Sequence, residues 1–283
     1  MSAVSQADAR RPIGVFDSGV GGLTVLDAIH RALPWEDLVY LGDTARVPYG
    51  TKSADSVARY ARQAALALVR RNVKALVIAC NTASAVALDV LRESYPSLPI
   101  LGVIDPGAEA SCRASRSGRI GVIGTEGTIQ GGAYQRAIQR LRPDAIVTGQ
   151  ACSLFVALAE EGWTDGELLE QVLRRYLAPL SSGNQPRIDC LVLGCTHFPV
   201  LKSAIANVVG DDVCLVDSAA TTAAALYQQL DQLGELHPER ERTGAIDYLV
   251  TDGPDRFARV AGTFFSRAVD RSNVELIDIP QLA

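Results

Sequence analysis

Two cysteines stand in closely matched settings, and their positions suggest acid–base or nucleophilic chemistry. Cys80 lies in VIACNTASA at residues 77–85, and Cys195 lies in VLGCTHFPV at residues 192–200. In both stretches a short apolar run that favours a β-strand ends at the thiol, and small polar residues follow at once. One cysteine at the end of a strand is usually a packing residue. Two cysteines in the same arrangement indicate a chemical role for both thiols.

The polar residues after each thiol are expected to begin a helix. Asn81 and Thr82 follow the first thiol, and Thr196 and His197 follow the second. The free N–H groups and the positive dipole end of a helix N-terminus favour an anion, so a thiol there becomes usable as a base or a nucleophile. His197 is placed to orient the second thiol or to balance its charge, although a histidine alone is more often a structural residue.

Two loops combine glycine with polar side chains. DSGVGG at residues 17–22 lacks the spacing of a dinucleotide-binding or phosphate-binding loop. It is either a tight turn or a segment whose backbone N–H groups and Asp17 face a small polar ligand. VPYGTKS at residues 47–53 is either a plain loop or a segment that offers backbone donors and a tyrosine hydroxyl. A pyridoxal phosphate Schiff base on Lys52 is disfavoured, because no lysine lies in a phosphate-cradling context.

Other polar positions have plain structural interpretations. Glu160 and Glu161 are typical of solvated charges on a helix, and Thr125 and Thr128 fit a capping turn between a strand and a helix. The remaining cysteines lack the polar neighbours of the first two, and we expect them to be packing residues; they are Cys112, Cys152, Cys190 and Cys214.

The composition excludes several classes of protein. The 283 residues are 48% hydrophobic and carry a formal net charge of −5, so we expect a packed core and no general affinity for nucleic acid or an anionic membrane. No apolar run approaches the ~20 residues of a membrane span, and the first residues lack the apolar stretch of a signal peptide. With six scattered cysteines, three histidines and no CxxC pair, we expect reduced thiols, no zinc site and a cytoplasmic location.

Short apolar strands alternate with helical segments along the chain. Strands buried on both faces are continuous apolar runs, so this pattern predicts an α/β fold with mainly parallel sheets. Helical spacing of apolar residues is present from Leu23 to Leu33, in the alanine-rich segment 54–71 and in 166–180. The predicted strands are 13–16, 38–42, 75–79, 99–104, 119–124, 145–149, 190–194 and 213–217.

A faint internal repeat predicts two similar halves. IGVFDS matches IGVIGT, and ALVIACNT matches CLVLGCTH, at offsets between 107 and 115 residues. We therefore predict two pseudo-symmetric α/β domains, residues 1–104 with 217–283 and residues 105–216. Sites in parallel sheets form at the carboxyl ends of the strands, where both cysteines lie. One thiol is thus expected on each side of an active-site cleft between the domains.

Five motifs carry a resemblance to a known family. They are FDSGVGGLTV, YLGDTARVPYG, VIACNTASA, IGVIGTEGTI and VLGCTHFP, spread over roughly residues 12–222. In this order and spacing they resemble the glutamate racemase family of the aspartate/glutamate racemase superfamily. The resemblance implies a cofactor-independent isomerase that interconverts L-glutamate and D-glutamate, and that supplies D-glutamate for peptidoglycan and hence for the cell wall and cell shape.

The resemblance also implies roles for individual residues. Cys80 is expected to take the proton from D-glutamate, and Cys195 from L-glutamate. Glu160 matches an auxiliary acidic residue near the second thiol, and we add Thr125 and Thr128 as auxiliary candidates. Substrate contacts are expected from Asp17, Ser18, Tyr49, Gly50, Asn81, Thr82, Thr196 and His197. We expect glutamate as the small-molecule partner, a homodimer, and no cofactor, metal, nucleic acid or membrane.

Two thiols suit racemisation, because the reaction removes a proton from one face of a planar intermediate and returns one to the other. The reference pKa of a thiol, about 8.5, lets it act as acid or base near neutral pH. Without a cofactor, the carbanion must be stabilised by hydrogen bonds to the substrate carboxylate and by exclusion of water.

Other functions stay open at the level of the sequence. An enzyme of the same fold that acts on aspartate or maleate would keep both cysteines and differ in the residues that bind the distal carboxylate. A binding or regulatory protein would keep the cleft without catalysis, and loss of one thiol would be its sign. A thiol hydrolase is disfavoured, because two symmetric cysteines are not a Cys–His nucleophile arrangement.

Overall fold

In the computed structural model, which describes residues 6–181 and 187–279, the chain forms two parallel β-sheets with helices packed around them. The predicted α/β class with parallel sheets is confirmed. The strands of the described residues are β1 (Ile13–Asp17), β2 (Leu38–Gly42), β3 (Ala75–Ile78), β4 (Ile100–Gly102), β5 (Arg119–Gly124), β6 (Ile146–Ala151), β7 (Cys190–Gly194), β8 (Cys214–Asp217), β9 (Ile246–Val250) and β10 (Val274–Leu276).

Helices follow most of the strands. Short 3-10 helices lie at Thr44–Arg46, Tyr49–Thr51, Phe198–Leu201 and Arg271–Asn273. The α-helices are α1 (Gln6–Ala9), α2 (Leu23–Ala32), α3 (Ala54–Val69), α4 (Asn81–Ser94), α5 (Ile104–Ala114), α6 (Glu126–Gln130), α7 (Ala133–Leu141), α8 (Leu154–Glu160), α9 (Glu167–Ser181), α10 (Lys202–Val209), α11 (Ser218–Leu233) and α12 (Pro254–Phe264). Within the described ranges, none of them is long and apolar enough to cross a bilayer.

The strand order places the two cysteine motifs beside the glycine-containing loops. The first sheet has the order β10-β9-β2-β1-β3-β4, and the second has the order β6-β5-β7-β8. Strands β1, β2 and β7 are buried along their whole length, which explains their continuous apolar runs. Since β1 pairs with β3 and β5 pairs with β7, the loops that follow each pair lie side by side at a carboxyl edge.

One buried apolar cluster extends from the first sheet into the second. It includes Val15 and Val77 of the first sheet and Val122 and Val192 of the second. Helices α2 and α11 pack against each other within the same cluster. This continuous core fixes the carboxyl edges of the two sheets relative to each other.

Two parts of the secondary structure differ from the predictions. The predicted strand 99–104 ends at Gly102, because Asp105 and Pro106 belong to the first turn of α5, where an acidic side chain meets the helix dipole and proline is tolerated. Strands β9 and β10 were not predicted individually, because Asp247 and Glu275 interrupt their short apolar runs.

The chain after about residue 217 was expected to return to the first half, and β9 does pair with β2 of the first sheet. Residues 119–217 supply every strand of the second sheet in the described part of the chain. The domain limits, 1–104 with 217–283 and 105–216, stay a prediction. Their outer ends at residues 1 and 283 lie outside the described residues.

Candidate active site

A cavity of about 350 Å³ lies where the carboxyl edges of the two sheets meet. Every predicted site residue except Asp17 lies on its wall. These residues are Ser18, Tyr49, Gly50, Cys80, Asn81, Thr82, Thr125, Thr128, Glu160, Cys195, Thr196 and His197. The wall also contains four residues of the two glycine-containing loops that were not predicted individually, Gly19, Val47, Pro48 and Thr51. Three further wall residues give no chemical signal in the sequence; they are Ser153, Val156 and Ala157.

Cys80 lies at the end of β3 and caps the N-terminus of α4. Its side chain is buried, and Sγ lies 3.5 Å from Oγ of Ser18 in the glycine-rich loop. Burial, together with the charge of Asp17, raises the pKa of Cys80 to about 12, because hydrogen bonds with Ser18 and the Ala83 backbone offset these effects only in part. The sequence predicted a lowered pKa from the helix N-terminus, but loss of solvent outweighs that effect. Cys80 therefore carries its proton near neutral pH.

Cys195 follows β7, and its sulfur lies beside a charged histidine. Sγ lies 3.7 Å from Nδ1 of His197, whose Nε2 lies 3.0 Å from Oε1 of Glu160. Burial lowers the pKa of His197, but its hydrogen bonds to Cys195 and Glu160 outweigh burial and raise the pKa to about 10. An imidazolium therefore lies next to the sulfur of Cys195 near neutral pH, and it places a positive charge there.

Glu160 ends α8 and is held between two cations. Oε1 contacts His197, and Oε2 lies 2.7 Å from Nη2 of Arg256 in α12. The hydrogen bond from His197 is the largest cause that lowers the pKa of Glu160, which falls to about 2 with help from Arg256 and despite partial burial. Glu160 is therefore not the solvated helix charge of the plain interpretation. Arg256 was missed by the sequence analysis, because no motif surrounds it.

The glycine-rich loop packs against the second cysteine motif. Asp17 is fully buried behind the cavity, accepts a hydrogen bond from the Gly19 backbone at 2.9 Å, and has Oδ1 3.4 Å from the hydroxyl of Thr196. A Cβ atom on Gly21 would lie 2.4 Å from the ring of His197, so the loop requires glycine there. Burial raises the pKa of Asp17, against the charge of His197 and backbone hydrogen bonds. The loop is thus a close-packed turn that positions Ser18 on the wall.

The tyrosine hydroxyl that the 47–53 loop was expected to offer has a partner within the protein. Tyr49 donates it to Oδ2 of Asp43, which Arg46 also contacts at 2.7 Å. Burial and the charge of Asp43 raise the pKa of Tyr49 far above its ordinary value. The loop therefore presents its ring and backbone to the cavity, and Lys52 is not among the residues on the wall.

Three hydroxyls, one after strand β3 of the first sheet and two after β5 of the second, meet on one side of the cavity. Thr82 Oγ1 lies 3.0 Å from Thr125 Oγ1 and 3.1 Å from Thr128 Oγ1, and the last two are 3.1 Å apart. A Cβ atom on Gly50 would lie 2.5 Å from Thr125, so the loop that contains Gly50 packs directly on this triangle. Thr125 does cap α6, as the plain interpretation predicted, and it also lines the cavity.

Asn81 presents a donor with no protein partner. Its Oδ1 accepts a hydrogen bond from the buried hydroxyl of Tyr134 at 2.8 Å, which fixes the orientation of the amide. Its Nδ2 is buried and has no hydrogen-bond partner among the described residues. Buried donors are normally paired, and because Asn81 lies on the cavity wall, this N–H group is available to an acceptor on a ligand.

The described residues include no group of three or more histidine, cysteine or acidic side chains placed to hold a metal ion. Cys112, Cys152, Cys190 and Cys214 do not lie on the wall of the cavity. What the wall offers is one protonated thiol, one thiol beside an imidazolium, and neutral hydrogen-bond donors. Such a set suits transfer of a proton to and from a small polar molecule bound between the thiols.

Known proteins share this sequence and fold. Residues 13–226 match the family model described as Asp/Glu/Hydantoin racemase. A glutamate racemase of Geobacter metallireducens is 52% identical over 254 residues, which are 90% of this chain and 92% of that protein.

Two solved structures agree with the sequence comparison. A glutamate racemase isoform of Bacillus anthracis superposes with a TM-score of 0.90 at 37% identity, covering 96% of this chain and 99% of that one. A glutamate racemase of Francisella tularensis in complex with D-glutamate gives a TM-score of 0.87 at 37% identity, with 96% and 98% covered.

Proposed function

The chain belongs to the Asp/Glu/hydantoin racemase family and is thus an isomerase, and from this premise we propose that it interconverts L-glutamate and D-glutamate by proton transfer between two thiols. The observation that carries the proposal is the presence of Cys80 and Cys195 on the wall of one cavity, in different protonation environments. The similar glutamate racemases, one of them with D-glutamate bound, support glutamate as the substrate.

From L-glutamate, the thiolate of Cys195 takes the proton from Cα, and the electron pair of the C–H bond is delocalised into the α-carboxylate. The thiol of Cys80 then delivers its proton to the opposite face, which leaves D-glutamate, a neutral Cys195 and a Cys80 thiolate. The reverse reaction exchanges the two roles. Neither direction consumes or supplies an electron.

Neutral donors stabilise the carbanion in this scheme. The unpartnered Nδ2 of Asn81 and the first N–H groups of α4 point to an acceptor next to Cys80. The hydroxyls of Ser18 and of the threonine triangle are further donors on the wall. Because both thiols are buried, these hydrogen bonds act with little competition from water.

The biological setting follows from the same proposal. We place the enzyme in the cytoplasm as a homodimer that needs no cofactor and supplies D-glutamate for peptidoglycan synthesis. We also propose that the substrate lies between domains formed by residues 1–104 with 217–283 and by residues 105–216. The resemblance of the motifs supports the biological setting, and the cavity at the carboxyl edges of the two sheets supports the position of the substrate.

The direct test is chiral chromatography of purified protein incubated with L-glutamate and EDTA, with no cofactor added. D-Glutamate should accumulate to an equal mixture, and in D₂O the product should carry deuterium at Cα. A panel with L-aspartate and maleate distinguishes other substrates of the fold. Absence of D-glutamate, or activity that EDTA abolishes, would contradict the proposal.

A further inference from the structure

Helix α12 follows all five sequence motifs in the chain, and it contacts two residues near Cys195, namely Glu160 and His197. Arg256, in its first turn, places Nη2 2.7 Å from Oε2 of Glu160. Phe264, its last residue, packs edge-on against the ring of His197, with the ring centroids 5.2 Å apart and an interplanar angle of 79°. The helix thus supports the imidazole both through Glu160 and directly.

The contacts from Arg256 to the thiol form one continuous chain. Glu160 Oε1 lies 3.0 Å from Nε2 of His197, and Nδ1 of that ring lies 3.7 Å from Sγ of Cys195. Each carboxylate oxygen of Glu160 therefore has one cationic partner. If Arg256 is removed, the second oxygen loses its partner and the carboxylate is free to rotate away from the imidazole.

This chain joins the two halves of the molecule. Glu160 lies in α8, between β6 and β7 of the second sheet, while α12 lies between β9 and β10 of the first sheet. Both charged side chains also line a cavity of about 100 Å³ that shares Gly19, Val47 and Glu160 with the wall of the main cavity. Among the described residues no such chain of charged side chains reaches Cys80, whose side-chain neighbour in hydrogen-bonding distance is Ser18.

We propose that Arg256 is a positioning residue for the Cys195 face of the active site, acting through Glu160 and His197. The inference rests on the proposed function, because it assigns Arg256 to the face that takes the proton from L-glutamate. Arg256 is about half exposed, so the ion pair alone contributes little to folding stability. Its effect is instead the orientation of a nearly buried histidine.

The test compares Arg256→Gln with Arg259→Gln, a matched control on the same helix. Arg259 is also exposed and has no ion pair among the described residues. The substrates are L- and D-3-chloroglutamate, from which one thiolate removes the Cα proton while chloride leaves from Cβ. The resulting enamine hydrolyses to 2-oxoglutarate and ammonium. This elimination needs the base of one face and no acid on the other.

We expect Arg256→Gln to lower kcat/KM for elimination from the L analogue by about fivefold, and from the D analogue by less than twofold. A fivefold loss is the effect expected when an ion pair of this exposure is removed. Arg259→Gln should change neither, and Arg256→Lys should recover part of the loss. Equal losses on both faces, or the same loss in Arg259→Gln, would overturn the assignment.

A second measurement is independent of the substrate. Iodoacetamide alkylates thiolates, and mass spectrometry of digested protein gives the alkylation rate at each cysteine. Arg256→Gln should slow alkylation of Cys195 severalfold and leave Cys80 unchanged; an unchanged rate at Cys195 overturns the inference. A wild-type protein inert toward glutamate and both analogues would instead contradict the proposed function, and the alkylation rates would still decide the role of Arg256.

Discussion

The sulfur of Cys195 lies 3.7 Å from Nδ1 of His197, an imidazolium near neutral pH because its pKa is raised to about 10. The sulfur of Cys80 lies beside the neutral hydroxyl of Ser18, and burial with the charge of Asp17 raises the pKa of Cys80 to about 12. The two sulfur atoms therefore have different charged neighbours although their sequence settings match. This difference predicts separate behaviour for the two faces of the reaction.

Replacement of either cysteine by serine should lower racemisation of glutamate by at least about 10³-fold. A hydroxyl has a far higher pKa than a thiol, so the base of one direction and the acid of the other are lost together. Initial rates by circular dichroism at fixed wavelength measure this loss, and unchanged far-ultraviolet spectra of Cys80→Ser and Cys195→Ser check the fold.

The same variants should separate the faces when 3-chloroglutamate is the substrate. The D analogue should still eliminate chloride in Cys195→Ser and fail in Cys80→Ser, and the L analogue should show the reverse. Equal loss for both enantiomers in both variants would refute one thiol per face, even if the protein racemises glutamate.

The pH dependence of elimination should differ between the two analogues. Cys80 must lose a proton to act on the D analogue, so kcat/KM should rise about tenfold per pH unit from pH 7 toward its pKa of about 12. The L analogue depends on the cation of His197, so its rate should fall above about pH 10, where the imidazolium is lost. Racemisation itself cannot show the difference, because the equilibrium constant between enantiomers is one and kcat/KM must be equal in both directions.

His197→Asn provides the control for this prediction. It removes the cation next to Cys195, so elimination from the L analogue should fall strongly below about pH 10, where the wild-type ring is charged. The D analogue should keep its upward slope. Parallel profiles for the two analogues in the wild-type protein would rule out the asymmetric assignment.

The sequence predicted the fold class and most of the cavity wall because those features depend on local patterns. Continuous apolar runs give strands buried on both faces, and the ends of β3 and β7 carry the residues that meet in the cavity. The pairing of Cys195 with His197 follows from adjacency in the chain, and so it was visible as well.

Features that depend on distant parts of the chain were not predictable in this way. Arg256 contacts Glu160, which lies 96 positions earlier in the chain. The hydroxyl of Tyr49 donates its hydrogen bond to Asp43 only because of how the loop folds. The high pKa of Cys80 was also missed, because a helix N-terminus is readable from sequence whereas the degree of burial is not.

Gly21→Ala should impair catalysis without unfolding the protein. The new Cβ would lie 2.4 Å from the ring of His197, so the imidazole must shift away from its place between Cys195 and Glu160. We expect racemisation to fall by about 10²-fold and stability by about 1–3 kcal/mol, as for other overpacked sites. Steady-state kinetics and urea unfolding measure the two effects.

Gly262→Ala is the matched control for Gly21→Ala, because a Cβ atom there meets nothing within 4 Å. It lies within α12, where alanine is favoured over glycine, so stability should be unchanged or slightly higher. Full activity in Gly21→Ala would show that the position of the His197 ring is not critical for the reaction.

Lys74 and Glu36 form a buried ion pair, and breaking it should lower the free energy of unfolding more than breaking an exposed ion pair. Their side chains are 2% and 0% exposed, Nζ lies 2.5 Å from Oε2, and Nζ also donates to the carbonyls of Ala9 and Glu235. Lys74→Met leaves the carboxylate buried without its cation, so unfolding in urea should show a loss of about 3–5 kcal/mol. The double variant Lys74→Met with Glu36→Leu should recover part of this loss, because no lone charge stays buried.

Arg71→Met is the control. It breaks an ion pair whose side chains are 39% and 53% exposed, and it should cost less than about 1 kcal/mol. A loss in Lys74→Met no larger than that in Arg71→Met would contradict the prediction.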